Sequence, residues 1–460
     1  MTTNIHLVIL VHGLWGNPTH LSYLEKQITQ NIIPSQGKDN DNDNEIIQVY
    51  KTGSHSGYMT YDGIDINGKR ISDEILTETK RLENNPDHKI IKFSIIGYSL
   101  GGLIARYSIG ILYSHGYFNS IKPINFVTFC TPHVGVRNPM TPTRSIRIYN
   151  KLAPLTLAIT GRQLFLTDKV GKFNKPLLVW MADPKSLFYK VLNQFKYKSL
   201  YSNVVNDKRT SWYTSAICAY DPVNSVLNSN PINIKATYVK GYEPTVIDIN
   251  QPVSYEEQGH HAIHDSSLWR YMWMIFSFLA LLFKTIIHTP IWAIAVIISS
   301  TLQTIRLNKR VREFLSDTSN NLLHLYEYVE QELTDFENHE YRNETTTTAA
   351  ANKTESIMND IENEVSDKLS DTQDSFVEHV YETLGWEEPH SKTASPLYLN
   401  EDQQYIIKSL NSLEWNKYPA ILRHTLRTHS DIIVRNEFDQ DVNEGKVVIN
   451  HFVNEVFKTQ

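Results

Sequence analysis

The chain has 460 residues, 41% of them hydrophobic, and a formal net charge of −6 at pH 7. This length suits two or three domains, or one α/β domain with insertions, and the charge gives no global indication of nucleic-acid binding. The two cysteines, Cys130 and Cys218, exclude a disulfide framework and indicate a reducing compartment. The first strand is predicted within a few residues of the N-terminus, so we expect no secretory signal peptide.

The first two hundred residues alternate short apolar runs with helical patterns. This alternation predicts βαβ units and an α/β fold with a mainly parallel central sheet. The polar segment 36–44 between the first two strands is interpreted as a solvated loop, because it lacks the glycine and glutamate spacing of a calcium-binding loop. The predicted strands are Leu7–Val11, Ile46–Tyr50, Ile91–Ile96 and Asn125–Phe129.

A Gly-x-Ser-x-Gly motif, Gly97 to Gly101, follows the third predicted strand and precedes a helical pattern beginning at Leu103. A strand, this motif and a helix together are typical of a nucleophile elbow, in which a tight turn exposes the serine hydroxyl. Ser99 is therefore the candidate nucleophile. The alternative is a glycine-rich turn with an inert serine.

A second motif, His12-Gly13-Leu14-Trp15-Gly16, follows the first strand. In α/β-hydrolases this position supplies one N–H of the oxyanion hole, and the residue after the nucleophile supplies the other. We therefore assign the oxyanion donors to Leu14 and Leu100. His12 is expected to brace the loop rather than to transfer protons.

A nucleophilic serine needs a base and an orienting carboxylate, and α/β-hydrolases carry them in the order serine, acid, histidine. Asp207 follows an apolar run beginning at Tyr201 and is the predicted acid, with Asp221 as the alternative. His429 precedes the last core elements and is the predicted base, with His424 and His264 as alternatives.

The histidines at positions 260, 261 and 264 also permit a zinc hypothesis. A hydrolase that already has an elbow does not require a metal. We therefore expect no metal and no cofactor.

Several of these pieces together resemble the serine-esterase family of α/β-hydrolase lipases, and within it the fungal members similar to lipid-droplet phospholipases. The resemblance covers about the first 220 residues strongly and the last 45 moderately. The position after Asp207 departs from the pattern, since Lys208 stands where family members often have valine. The matching pieces are 12–16, 61–65 with 68–70, 97–102, 129–135, 160–164 and 203–207.

The resemblance implies hydrolysis of acyl esters of lipids, with phospholipids as the favoured substrate. It also implies that His133, within the piece 129–135, is structural. A neutral-lipid lipase, an acyltransferase and a non-catalytic lipid-surface scaffold with a vestigial hydrolase fold remain alternatives, because a triad does not reveal the acyl donor or acceptor.

An apolar segment, residues 268–302, is interrupted by Lys284, His288 and Pro290. Each apolar piece is shorter than the roughly 20 residues that a spanning helix needs. A base at His429 would lie after the segment while Ser99 lies before it, so both flanks must be on one side of a membrane. We therefore predict a hairpin or an interfacial helix, with a buried hairpin in a soluble core as the alternative.

The predicted organisation has four parts. Residues 1–265 and 396–460 form the hydrolase core, 266–306 attach to membrane, and 307–395 are a helical, acidic and partly disordered insertion that includes a helix over 314–333. A closing helix is predicted over Asn443–Phe457. The expected partners are a phospholipid substrate and the surface of a lipid droplet or of the cytosolic face of the endoplasmic reticulum, without nucleic acid.

Overall fold

The computed structural model is built around a six-stranded β-sheet in which every pairing is parallel, with strand order β6-β5-β4-β3-β1-β2. It describes residues 3–31, 45–139, 144–170, 174–221, 234–251, 254–255, 306–314, 316, 395–439 and 442–460. The strands are β1 (Thr3–Val11), β2 (Glu45–Lys51), β3 (His88–Tyr98), β4 (Lys122–Phe129), β5 (Tyr197–Asn203) and β6 (Trp415–Ala420).

Helices connect and cover these strands. They are α1 (Ser22–Asn31), α2 (Ile64–Glu83), α3 (Leu100–Ser114), α4 (Arg144–Thr156), α5 (Ala158–Leu164), α6 (Leu177–Ala182), α7 (Leu187–Gln194), α8 (Trp212–Ser215), α9 (306–314), α10 (Glu401–Asn411), α11 (Thr428–Asp431) and α12 (Asn443–His451). Shorter elements are 3₁₀ turns at Pro18–Leu21, Gly57–Tyr61 and Tyr117–Asn119, a π-helical turn at Phe452–Val456, and two-residue strands at Tyr220–Asp221, Ile234–Lys235, Ser254–Tyr255 and Ser395–Pro396.

The α/β class and the four predicted strands are confirmed, each observed strand being slightly longer than its apolar run. The predicted closing helix is also confirmed, as α12 followed by the π-helical turn. The last strand, β6, begins at Trp415 and ends at Ala420.

The sheet separates two layers of core because successive side chains of a strand point to opposite faces. In β1, Leu7 and Ile9 pack with residues of α2 and α3 on one face. Val8 and Leu10 pack with residues of α1 and α12 on the other face. The carboxyl ends of the parallel strands consequently meet at one edge, where ligands of open α/β sheets bind.

The two predicted parts of the core, 1–265 and 396–460, contribute to the same sheet. Strand β6 pairs with β5, Tyr418 lying opposite Tyr201. The apolar segment 268–302 and most of the insertion 307–395 lie outside the described residues. Within the part of the chain that the structure describes, no helix has the length and apolar content needed to cross a bilayer.

The start of the predicted insertion is helical from residue 306, upstream of the helix predicted over 314–333. Leu307 in α9 is buried against Trp15 and Tyr61. This stretch therefore packs on the core.

Candidate active site

Ser99 occupies a sharp turn between β3 and α3. Its backbone has φ 54° and ψ −128°, which is strained for a residue with a Cβ. The flanking glycines are needed for close approach: a Cβ on Gly97 would lie 2.3 Å from Gly102 Cα, and one on Gly101 would lie 2.3 Å from the Val11 carbonyl oxygen. The serine itself takes the unfavourable positive φ, and the glycines let the neighbouring chain close around it.

The structure brings Ser99, His429 and Asp207 into one hydrogen-bonded row. His429 Nε2 lies 2.9 Å from Ser99 Oγ, and His429 Nδ1 lies 2.8 Å from Asp207 Oδ2. His429 belongs to the single helical turn α11, where the sequence predicted a loop. The Tyr98 hydroxyl donates to the His429 carbonyl oxygen at 2.9 Å, which fixes the backbone of this turn.

The Asp207 carboxylate is buried and surrounded by donors. Its Oδ1 accepts from the backbone N–H groups of Arg209 and Thr210, and its Oδ2 accepts from Asn203 Nδ2 at 3.1 Å. Burial raises the pKa of this carboxyl, but the interactions with His429 and these donors outweigh burial and hold the pKa below its usual value. The acid is therefore ionised and able to orient the imidazole.

Asn203 was not singled out as a site residue by the sequence analysis. Its amide also donates to the Thr428 carbonyl oxygen at 3.1 Å, so it ties the acid to the turn that carries the base. The signal available in the sequence was its place in the piece 203–207, four residues before the acid.

A metal bound beside the triad would need Cys130 as a thiolate. Cys130 Sγ lies with ligand atoms of Asp207 and His429 in a group no wider than 4.8 Å. Burial and the charge of Asp207 raise the pKa of the Cys130 thiol well above its usual value, which disfavours the thiolate that a metal requires.

Among the described residues, the alternatives of the sequence analysis have their partners elsewhere. His424 is paired with Glu444 at 3.1 Å, and its side chain is 73% exposed. Asp221 is buried in a two-residue strand that pairs with Ser395. His133 is buried and lies 2.9 Å from the Thr128 hydroxyl. His264 and the other histidines of the zinc hypothesis lie outside the described residues.

The predicted oxyanion donors lie on either side of Ser99. Leu100 begins α3, so its N–H has no acceptor within the helix. Leu14 follows Gly13, where a Cβ would lie 2.7 Å from Ser99 Cβ and 3.3 Å from Ser99 Oγ. The loop after β1 therefore approaches the nucleophile as closely as a glycine permits.

His12 anchors this loop as a neutral imidazole. Its ring stacks on that of His55, with centroids 3.8 Å apart and planes 8° from parallel, and His55 Nε2 donates to the His12 carbonyl oxygen. Burial, followed by the neighbouring His55, lowers the pKa of His12 well below its usual value. Burial likewise lowers the pKa of His55 to about 4. The contacts agree with a bracing role.

Two of the sequence pieces meet beside the oxyanion loop. The Thr160 hydroxyl accepts from the Gly63 N–H and donates to the Thr60 carbonyl oxygen, and Gln163 accepts from the Ile64 N–H at 2.6 Å. The α5 turn is thus fastened to the start of α2.

The buried Asp62 carboxylate at this junction forms ion pairs with Arg70 at 2.8 Å and with Arg310 of α9 at 2.7 Å. The ion pair to Arg310 was not predicted, because it joins residues 248 positions apart.

A parallel sheet, a strained serine after β3, an acid after β5 and a histidine after the last strand are the arrangement found in serine hydrolases of the α/β-hydrolase fold. Residues 1–220 match the family described as "Putative serine esterase (DUF676)". The match covers just under half of the chain.

Similar proteins are known from fungi and bacteria. The chain is 28% identical over 274 residues to "Putative lipase C4A8.10" of Schizosaccharomyces pombe, covering 57% of this chain and 33% of that protein. It is 28% identical over 252 residues to "Putative lipase ROG1" of Saccharomyces cerevisiae, covering 54% and 33%. The chain thus spans about a third of the length of these relatives. The solved structure of phospholipase PlaB from Legionella pneumophila superposes on this chain with a TM-score of 0.28 at 14% identity, covering 50% of this chain and 44% of that one.

Proposed function

We propose that the protein is a serine lipase that hydrolyses acyl ester bonds of phospholipids through an acyl-serine intermediate. The observation that carries the hydrolase part is the continuous hydrogen-bonded row from Ser99 through His429 to the ionised Asp207. Support for a lipid substrate comes from the apolar segment 268–302, the family resemblance and the lipase names of the relatives.

The geometry assigns a role to each group. His429 Nε2 removes the proton from Ser99 Oγ as the oxygen attacks the ester carbonyl carbon, and Asp207 stabilises the imidazolium. The N–H groups of Leu14 and Leu100 stabilise the oxyanion, each being worth about 10²–10³ in kcat. His429 then returns the proton to the leaving alcohol, and a water activated by the same imidazole releases the fatty acid.

We further propose that residues 268–302 hold this site at a lipid surface. Asp207 precedes the segment and His429 follows it, and the two are hydrogen-bonded to each other. The flanks therefore belong to one folded body on one side of the membrane, which favours a hairpin or an in-plane helix over a single crossing. Such an arrangement suits a monolayer with one aqueous face, so we favour a lipid droplet or the cytosolic face of the endoplasmic reticulum.

The catalytic proposal is tested by product analysis. Purified wild-type chain should release fatty acid from phosphatidylcholine vesicles, and Ser99→Ala should reduce the rate at least about 1,000-fold. The control is Ser108→Ala, since Ser108 is buried in α3 and its hydroxyl has no hydrogen-bond partner among the described residues. Equal turnover by Ser99→Ala and Ser108→Ala would refute the assignment.

The same assay separates the substrates. Triacylglycerol emulsions turned over in preference to phospholipid would support a neutral-lipid lipase, and acyl transfer to an added alcohol would support an acyltransferase. A fluorophosphonate probe that fails to label Ser99 in wild type would favour the scaffold.

The membrane proposal has its own variant. Deletion of residues 268–302 should move the protein from the membrane fraction to the soluble fraction while hydrolysis of soluble short-chain esters continues. Unchanged recovery with membranes would contradict the proposed role of the segment.

A further inference from the structure

An apolar ridge on α4 points away from the protein core. Ile148, Leu152 and Leu155 are 57%, 54% and 65% exposed. They are spaced four and three residues apart, so they share one side of the helix. Ile146, on the opposite side, is buried. Exposing three large aliphatic side chains in a row is unfavourable in water and marks a contact surface.

A basic groove runs beside this ridge. It has a volume of about 670 Å³ and lies between α4 and the segment after α5. Its lining among the described residues contains four cationic side chains and no carboxylate, namely Arg137, Arg147, Lys151 and Arg162. Beyond the lining, Asp168 interacts with Arg162 and Asp402 with Arg137. Arg147 and Lys151 are the two cationic lining residues that lie on α4 itself.

The ridge lies next to the oxyanion loop. Leu155 is followed within four residues by Leu157, Ala158 and Ile159, which pack in one cluster with Leu14 and Trp15. A surface that contacts the ridge therefore lies close to the face on which the oxyanion donor Leu14 is held.

We propose that α4 docks on an anionic phospholipid surface, with the ridge inserted among acyl chains and the groove receiving lipid phosphates. An amphipathic helix with apolar residues on one side and basic residues at its border binds membranes in this orientation, and each basic residue near an anionic surface adds attraction. A protein partner would be matched less well by a groove whose charged lining residues are all cationic and which borders an aliphatic ridge. The proposal rests on the proposed lipase function for its purpose, but not for its test.

The test reads membrane contact at α4 without turnover. A Ser99→Ala, Cys218→Ser chain carries an environment-sensitive fluorophore on Leu155→Cys, and vesicles contain phosphatidylserine with phosphatidylcholine. We expect a blue-shifted emission and quenching by bilayer-embedded quenchers. The matched control places the fluorophore on Phe438→Cys, which is 92% exposed beside Glu437, the ion-pair partner of Lys26 in α1, and this label should remain in water.

Charge is tested by Arg147→Gln with Lys151→Gln. Loss of the two charges should weaken binding to phosphatidylserine vesicles about tenfold or more, and raised salt should reduce the difference. Unfolding by heat checks that the variant is folded. A label at position 155 that stays in water while the protein sediments with vesicles would overturn the proposal, as would equal binding of the charge variant.

Failure of the proposed function gives a different result. If the wild-type chain hydrolyses neither soluble esters nor vesicle phospholipids, the proposed lipase function is refuted. The emission of the label at position 155 would still report whether α4 docks on the vesicles.

Discussion

Asn203 should be the positioning residue on which the acid depends most. It is buried, and its amide donates to the Asp207 carboxylate and to the Thr428 carbonyl oxygen, each at 3.1 Å. Asn203→Ala removes both bonds and leaves a buried carboxylate with one donor fewer.

The magnitude follows from the two acceptors. A hydrogen bond to a charged group contributes about 1.5–3 kcal/mol and one to a neutral carbonyl about 0.5–1.5 kcal/mol, so the variant should lose about 2–4.5 kcal/mol of the free energy of unfolding. Because Asn203 also holds the carboxylate in the position from which it stabilises the imidazolium of the transition state, kcat/KM should fall about 10- to 100-fold.

Asn125 offers a matched control for stability. It is also a buried asparagine on a sheet strand, and its amide donates to the Ser94 hydroxyl at 2.8 Å and the Lys458 carbonyl oxygen at 2.7 Å, while its Oδ1 accepts from the Lys458 N–H at 3.1 Å. Because three neutral hydrogen bonds are lost, Asn125→Ala should lower the free energy of unfolding by about 1.5–4.5 kcal/mol. None of these bonds involves Ser99, Asp207 or His429.

The pH profile distinguishes positioning from folding. Asn203 is one of the groups that lower the pKa of Asp207, so its removal raises that pKa. A carboxyl with a depressed folded pKa loses its ionised form as pH falls through that pKa. The part of the acidic loss of kcat/KM against soluble ester that comes from protonation of Asp207 should therefore begin at a higher pH in Asn203→Ala and at the wild-type pH in Asn125→Ala. Identical profiles for the two variants would refute the reasoning.

Three further predictions concern other parts of the fold. Gly13→Ala should lower kcat for soluble ester about 10²–10³-fold, because its Cβ would meet Ser99 Cβ at 2.7 Å; unchanged steady-state kinetics would contradict this. Burial, followed by the charge of Lys92, lowers the pKa of His6 to about 3, so between about pH 3 and 6.5 the unfolded chain binds one more proton than the folded chain. The free energy of unfolding therefore decreases as the pH is lowered through that window. His6→Gln should reduce the slope of the free energy of unfolding against pH, measured with urea, by up to about 1.4 kcal/mol per pH unit. Asp62→Asn should lower the free energy of unfolding by about 3–5 kcal/mol and make residues 306–314 accessible to protease. Arg310→Gln should lower it by at most about 1 kcal/mol, because the Arg310 side chain is 32% exposed. An equally small loss for Asp62→Asn would contradict the burial of this carboxylate.

The parts of the fold that the sequence predicted well are those encoded locally. The runs that became β1 and β3 are continuous apolar stretches, which suits strands buried on both faces of a parallel sheet. The elbow at Ser99 could be predicted because its glycines stand in sequence beside the nucleophile. The order of serine, acid and histidine then limited the candidates for the other two positions.

Contacts between distant residues could not be predicted in this way. The pairing of Arg310 with Asp62, the stacking of His12 on His55 and the bonds of Asn203 depend on how loops approach one another. No periodicity marks such approaches. The choice of His429 over His424 was similarly open until the chain was folded, because both lie on the same stretch after β6.

The helix α9 links the two proposed membrane contacts. It begins four residues after the apolar segment 268–302, and Arg310 and Leu307 fix it to Asp62 and to Trp15. Helix α9 therefore begins beside the oxyanion loop, in the same apolar cluster that receives the chain leaving α4. A segment anchored there and a ridge on α4 would meet one lipid surface together, and that surface would lie next to Leu14.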